Sequence, residues 1–321
     1  MYKKIVEFRP SISSENIGDH IIQHYITEAM NDMFGAHLTV TMPTRSYLTD
    51  RNLRHLEAAD YSFVCGTNLL ASNMDKRRQW DLQKKDIFRL HDLILLGVGW
   101  WQYQDSPNWY TKNLLKRILS SDIMHSVRDS YTEKMLRQAG IHNVINTGCP
   151  TMWGLTKEKI NKIPSTKGCE VVTTLTNYMQ DDELDKYILD VLLDNYDTVY
   201  VWLQAIEDYN QLKRMGYDKK VQVVPPTLEA YNALLKNQDL DYIGTRLHGG
   251  IHALNNERRS LIIAVDNRAK EISKDTKLPV IGREEVRENL ESMINGKWQT
   301  EIVLPIDNIK QWKAQFISKE I

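Results

Sequence analysis

The sequence predicts an α/β protein built as two Rossmann-like domains facing a cleft. Short apolar runs alternate with longer amphipathic ones from end to end, the pattern of βαβ units on a mainly parallel sheet. A polar stretch near the middle interrupts that alternation, which then restarts. At 321 residues the chain exceeds the size one core usually fills, so two domains of roughly 150 residues each are expected.

In the first half, runs of apolar residues place strands at 4–8, 37–41, 61–65, 92–97, 123–126 and 143–146. Amphipathic helices fall between them, among them 19–33, 113–120 and 130–139. In the second half, strands are expected at 170–174, 198–202, 221–224, 241–244 and 260–264. Its helices are read at 181–194, 206–215, 227–236, 251–256 and 283–295, and a last amphipathic segment covers 306–317. The stretch 155–168, with four lysines, Pro164 and Ser165, has neither period and reads as a linker. The domains are therefore expected at 1–155 and 168–321, with the last helix returning to pack on the first domain.

Composition narrows the function classes. Hydrophobic residues make up 42%, charged residues 26%, and 41 basic side chains nearly balance 42 acidic ones. No large one-signed field argues for nucleic acid or an anionic membrane, so any anion site is local. Cys65, Cys149 and Cys169 show no C-x-x-C spacing and fit a reducing compartment. Charges break every apolar run of the first thirty residues, and no stretch reaches the roughly 18 consecutive apolar residues that span a bilayer. The expectation is a cytoplasmic protein, with homo-oligomerisation left open.

The segment from Asp241 to Leu254 sets Arg246 and His248 between an apolar strand and Gly249-Gly250. A strand-to-helix turn of this kind presents a cationic fork, a proton carrier and bare backbone to an anion, and ligands of parallel sheets sit at the carboxyl ends of the strands. Leu247 lies in the same turn. A second strand end, Val265 to Lys270, carries Asp266 and Arg268. In the first half, Asn16-Ile-Gly-Asp19 follows the first strand, where Gly18 relaxes the backbone and Asp19 can cap a helix. Gly66 and the Gly97-Val-Gly-Trp-Trp101 segment follow further strands. Trp100 and Trp101 are balanced between a stacking wall for a sugar and simple packing. Arg128 and Asp129 follow His125 to Val127, and Gly148 and Pro150 shape a tight turn. No H-E-x-x-H, G-x-S-x-G, P-loop or paired-carboxylate signature is present, which weighs against metal and serine hydrolases.

Taken together, Asn16-Ile-Gly-Asp19, Ser126-Val-Arg-Asp129, Thr147-Gly-Cys-Pro150, Thr245-Arg-Leu-His-Gly-Gly250 and Ala264-Val-Asp-Asn-Arg268 resemble the polysaccharide pyruvyl transferase family over about residues 14 to 282. The resemblance implies a two-domain fold similar to GT-B glycosyltransferases, with an acceptor-side first domain and a donor-side second. It also implies transfer of the enolpyruvyl unit of phosphoenolpyruvate onto a sugar as a pyruvate ketal in surface polysaccharide biosynthesis. Arg246 and His248 would be catalytic, clamping the donor and carrying the proton. Asn16, Gly18, Asp19, Gly66, Arg128, Gly148, Leu247, Gly249, Asp266 and Arg268 would line the donor and substrate sites. The partners implied are phosphoenolpyruvate, as substrate rather than cofactor, and a sugar or lipid-linked oligosaccharide acceptor. No metal is implied.

The chain departs from the family pattern at Thr176, where a basic residue is expected after the first strand of the second half, and at Cys65-Gly66, where two glycines are common. Two other readings stand beside the first: a GT-B glycosyltransferase using a nucleotide sugar, and a non-catalytic relative of the fold.

Overall fold

A computed structural model describes residues 2–77 and 79–317. The outermost residues of the two expected domains, Met1 and Ser318 to Ile321, lie outside them. The chain divides into two compact units.

Unit 1 opens with strand β1 (Lys3–Arg9), helix α1 (Ile17–Phe34), β2 (His37–Pro43), α2 (Asp50–Glu57), β3 (Tyr61–Cys65) and β4 (Asn68–Leu70). It continues with β5 (Leu93–Leu96), β6 (Gly99–Trp100), α3 (Trp109–Ile118), β7 (His125–Val127), α4 (Ser130–Ala139) and β8 (Val144–Asn146). The main sheet has the order β2-β1-β3-β5, all parallel. Ile5, Val6 and Phe8 of β1 are fully buried. Consecutive buried side chains on one strand mean that both faces of the sheet are covered, as a parallel sheet requires. The β7–β8 pair joins it through the Gly97 amide, which donates to Ser126 O at 3.0 Å, and a bridge between Val98 and Val127.

Unit 2 contains α5 (Lys157–Lys162), β9 (Glu170–Thr173), α6 (Asp182–Asn195), β10 (Thr198–Trp202), α7 (Ile206–Met215), β11 (Gln222–Val224) and α8 (Leu228–Leu234). After these come β12 (Leu240–Gly244), α9 (Leu247–Asn255), β13 (Ser260–Ala264), α10 (Asn267–Thr276), β14 (Val280–Gly282) and α11 (Val286–Asn295). Its six strands run parallel in the order β11-β10-β9-β12-β13-β14. The fold class is thus the expected one, α/β with two Rossmann-like units.

The units are not two contiguous halves. Glu15–Ile21, which includes the start of α1, clusters with unit 2, where the Ile17 amide donates to Gln204 O at 3.1 Å, and the rest of α1 belongs to unit 1. The chain from Leu304, including α12 (Ile306–Ala314), clusters with unit 1. There Trp312 is fully buried, its Nε1 donates to Met124 O at 2.7 Å, and Phe316 lies edge-on to Phe63.

Several expected boundaries shift. The stretch read as a linker lies inside unit 2 and contains α5, capped by Thr156, whose hydroxyl accepts from the Lys159 amide. Helix α9 starts at Leu247 rather than 251. Its glycines are poor helix formers, but the core demands them: a Cβ on Gly250 would stand 2.5 Å from Ile262 Cγ1 and 2.8 Å from Tyr242 Cε1. The segment after β13 turns at once into α10, with Asp266 as its cap.

Candidate functional site

The strand order of unit 2 reverses at one place. From β9 the chain moves outward through β10 to β11, then returns to lay β12 on the other side of β9. The loops leaving the carboxyl ends of β9 and β12 part there, which is where ligands of open α/β sheets bind. Leu175 to Met179 follow β9, and Thr245-Arg246 follow β12. The two loops are tied together: the Thr245 hydroxyl donates to Thr174 O at 2.9 Å and meets the Thr176 hydroxyl at 2.7 Å. Thr176, standing where a basic residue was expected, is a buried joint between these loops.

Arg246 occupies the cap position of α9, where the first helical amides lack intrahelical acceptors and carry a positive partial charge. Two tyrosines fix this turn. The Tyr242 hydroxyl donates to Arg246 O at 2.7 Å and that of Tyr231 to Gly249 O at 2.9 Å. The guanidinium is only 4% exposed and does not stand open. Its Nε donates to Leu175 O at 2.7 Å, and its Nη2 reaches both oxygens of Asp208 at 2.8 and 3.1 Å. Asp208 is fully buried, and it also accepts from the Gln204 and Ala205 amides at 3.0 and 3.1 Å. Burial raises the Asp208 carboxyl above its ordinary value, with Arg246 and the two amides pulling the other way. The fork thus has an internal carboxylate partner that the sequence reading did not foresee. Asp208 lies in the first turn of α7, where an acidic residue reads as ordinary helix-end chemistry.

His248 and Leu247 fall in the first turn of α9, both buried. His252, one turn on, binds Asn232 through Nε2 at 2.6 Å, a packing role. Asn16, Gly18 and Asp19 also belong to unit 2. The cap of α1 is Asn16 rather than Asp19: its Oδ1 accepts from the Gly18 amide at 3.1 Å, while Asp19 is buried in the first turn. Gln204, unmarked by any sequence pattern, lies against both glycine positions. A Cβ on Gly18 would come within 3.2 Å of its Oε1, and one on Gly249 within 3.0 Å of its Nε2.

Asp266 and Arg268 meet each other first. Asp266 accepts from the Arg268 amide at 3.0 Å and from its guanidinium at 2.6 Å. Burial opposes the charge on Arg268, but Tyr178 and Asp266 outweigh it and its pKa is raised. Arg268 Nη2 donates to the Tyr178 hydroxyl, and the guanidiniums of Arg246 and Arg268 each lie 5.4 Å from the Tyr178 ring centre. One aromatic ring therefore contacts both cations.

The remaining candidates belong to unit 1. Arg128 is 1% exposed, with Nε on Asp129 at 3.0 Å, Nη2 on Asn68 Oδ1 and Nη1 buried without a partner. Its guanidinium lies where a Cβ on Gly99 would sit. Gly66 and Gly148 both have left-handed backbone, φ +59 and +70, a region glycine enters without penalty. Trp100 is fully buried, and Trp101 is covered by Arg77 at 3.1 Å from its ring centre, so both pack rather than form an open wall. Among the described residues no helix is long and apolar enough to cross a membrane.

The fold resembles that of a UDP-GlcNAc 2-epimerase from Methanocaldococcus jannaschii, solved with UDP-GlcNAc and UDP. The two share 12% identity over 97% of each chain, with a TM-score of 0.52. More distant likenesses are an E. coli heptosyltransferase solved with ADP-2-deoxy-2-fluoro heptose, and a Glycyrrhiza uralensis protein complexed with glycyrrhetinic acid 3-O-monoglucuronide. The first has 12% identity over 81% of this chain and 88% of the other, TM-score 0.39; the second 9% over 98% and 90%, TM-score 0.44. No curated protein matches the chain. These α/β units define a GT-B-like protein. Its sequence matches the profile described as polysaccharide pyruvyl transferase over residues 16–267, and the chain belongs to that family.

Proposed function

We propose that this protein transfers the enolpyruvyl unit of phosphoenolpyruvate to a sugar or a lipid-linked oligosaccharide, forming a pyruvate ketal of a surface polysaccharide in the cytoplasm. One observation carries the reading: Arg246 stands at the cap of α9 and His248 in its first turn, at the switch point of the unit 2 sheet, inside the span the family profile matches.

The chemistry asks for a cation to hold the donor and an acid to start the reaction. A proton delivered by His248 to the methylene carbon turns the enol phosphate into an oxocarbenium-like centre. One sugar hydroxyl adds to that carbon, a second displaces phosphate, and the ketal closes. Arg246 spends Nε and Nη2 on Leu175, Asn177 and Asp208, which leaves Nη1 for the donor. Leu247 and Gly249 add the amides of the helix start, Arg268 a second cation held by Asp266, and Asn16, Gly18 and Asp19 the neighbouring turn. Within unit 1 taken by itself, Arg128, through its unpartnered Nη1, and the turns at Gly66 and Gly148 are proposed as substrate contacts.

The discriminating experiment incubates pure protein with a nitrophenyl or lipid-linked sugar and either phosphoenolpyruvate or a nucleotide sugar. Acceptor-dependent release of inorganic phosphate from phosphoenolpyruvate supports the proposal. Release of nucleotide instead assigns the protein to glycosyl transfer, and no turnover with either donor favours a non-catalytic role.

A further inference from the structure

Gln204 follows β10 by two residues and is 1% exposed. Its backbone is committed in both directions: the carbonyl accepts from the Ile17 amide at 3.1 Å and the amide donates to Asp208 Oδ2 at 3.0 Å. The main chain that carries the carboxamide is therefore fixed at this point. It lies between Gly18 and Gly249, within 3.2 and 3.0 Å of where their Cβ atoms would stand. Yet Nε2 is buried with no hydrogen-bond partner.

A buried amide donor without an acceptor is a cost that a fold rarely carries without a use. Packing alone does not explain it, since a methionine would fill similar space without stranding a donor. Gly18 and Gly249 present bare backbone to the carboxamide, with the Asn16 and Tyr242 side chains also close to those two positions. Arg246 is linked to the same loop through Asp208. The donor-only chemistry of Nε2 calls for an acceptor oxygen, and the nearest helix start favours one bearing negative charge.

We propose that Gln204 is a substrate-binding residue: its Nε2, on the Gly249 side of the carboxamide, donates to an anionic oxygen of the donor molecule at the first turn of α9. This rests on the assignment of phosphoenolpyruvate as donor, and it adds a neutral donor beside the cations. The carboxamide distinguishes an acceptor oxygen from a bulky or apolar group at that position.

The test is calorimetric titration of phosphoenolpyruvate into the wild-type chain, Gln204→Met and Gln204→Glu, each paired with a thermal melt. Losing a hydrogen bond to a charged oxygen weakens binding by about tenfold or more. Gln204→Met is expected to show that loss while its melting temperature holds or rises, because a stranded donor has been removed. Gln204→Glu keeps the shape and sets like charge against the ligand, so its binding falls further. Should Gln204→Met fail to fold, the glutamate variant alone decides. Wild-type affinity in either variant overturns the proposal, as does a lower melting temperature with unchanged affinity. A wild-type chain that takes no phosphoenolpyruvate overturns the donor assignment itself.

Discussion

Replacing Asp208 by asparagine removes the internal counter-charge of Arg246 with little change of shape. Asp208 is fully buried and Arg246 is 4% exposed, so the variant leaves a cation in the interior facing a neutral group. Oδ2 accepts from Arg246 and from two backbone amides, while Oδ1 accepts from Arg246 alone at 2.8 Å. An asparagine that keeps its oxygen at the Oδ2 position turns its NH2 toward the guanidinium at that 2.8 Å position, donor against donor. Breaking a buried ion pair from one side costs about 3–5 kcal/mol. Burial already disfavours the Asp208 charge, as its raised pKa shows, and removing that penalty brings the expected loss to about 3 kcal/mol. At about 2–4 °C per kcal/mol for a unit of this size, the melting temperature should fall by roughly 6–12 °C. With its counter-charge gone, Arg246 holds an anion more strongly. Saturating phosphoenolpyruvate should therefore restore more of the melting temperature in the variant than it adds to wild type. Scanning calorimetry with and without ligand reads both effects. A fall of less than about 2 °C, taken at the same per-kcal scale, together with equal ligand shifts in the two proteins, would refute the buried pair as the restraint on Arg246.

Asp185 gives a pH test. Its carboxyl is raised from 3.8 to about 6 by burial, with Arg283 acting against the rise. A carboxyl that binds its proton more tightly when folded weakens the fold as pH climbs through that window, here by about 2–3 kcal/mol. Asp185→Asn should therefore gain on wild type in urea unfolding between pH 4 and pH 7.5, and a pH-independent difference contradicts the assignment. For His248, substitution by glutamine keeps hydrogen-bonding volume but removes the titrating ring. Phosphate release should drop about a hundredfold or more while phosphoenolpyruvate still binds; undiminished turnover removes His248 from the chemistry.

The strand-helix alternation was readable because strands of the parallel sheets carry short apolar runs, such as Phe63 to Cys65 in β3, Val199 to Trp202 in β10 and Leu261 to Ala264 in β13. What escaped notice depended on tertiary packing. Helix α9 hides behind Gly249-Gly250, a sequence that argues against a helix until Ile262 and Tyr242 are seen to require the missing side chains. Helix α5 hides in a lysine-rich stretch whose cap, Thr156, is a weak signal alone. In the site, Arg246 and His248 stood out through their spacing at a strand end. Asp208 and Gln204 did not, because an acidic residue in a first helical turn and a glutamine after a strand are ordinary until the fold brings them to α9. Tyr178 is a further case: only the loop geometry shows its ring in contact with both Arg246 and Arg268.

The central claim is that the start of α9 holds an anionic donor through the fork of Arg246. Titrating phosphoenolpyruvate into wild type and Arg246→Lys by calorimetry tests it most directly, since a point charge does not reproduce a planar fork. The account predicts binding to wild type and an affinity about tenfold or more lower in the lysine variant. Equal affinity in the two proteins would contradict it.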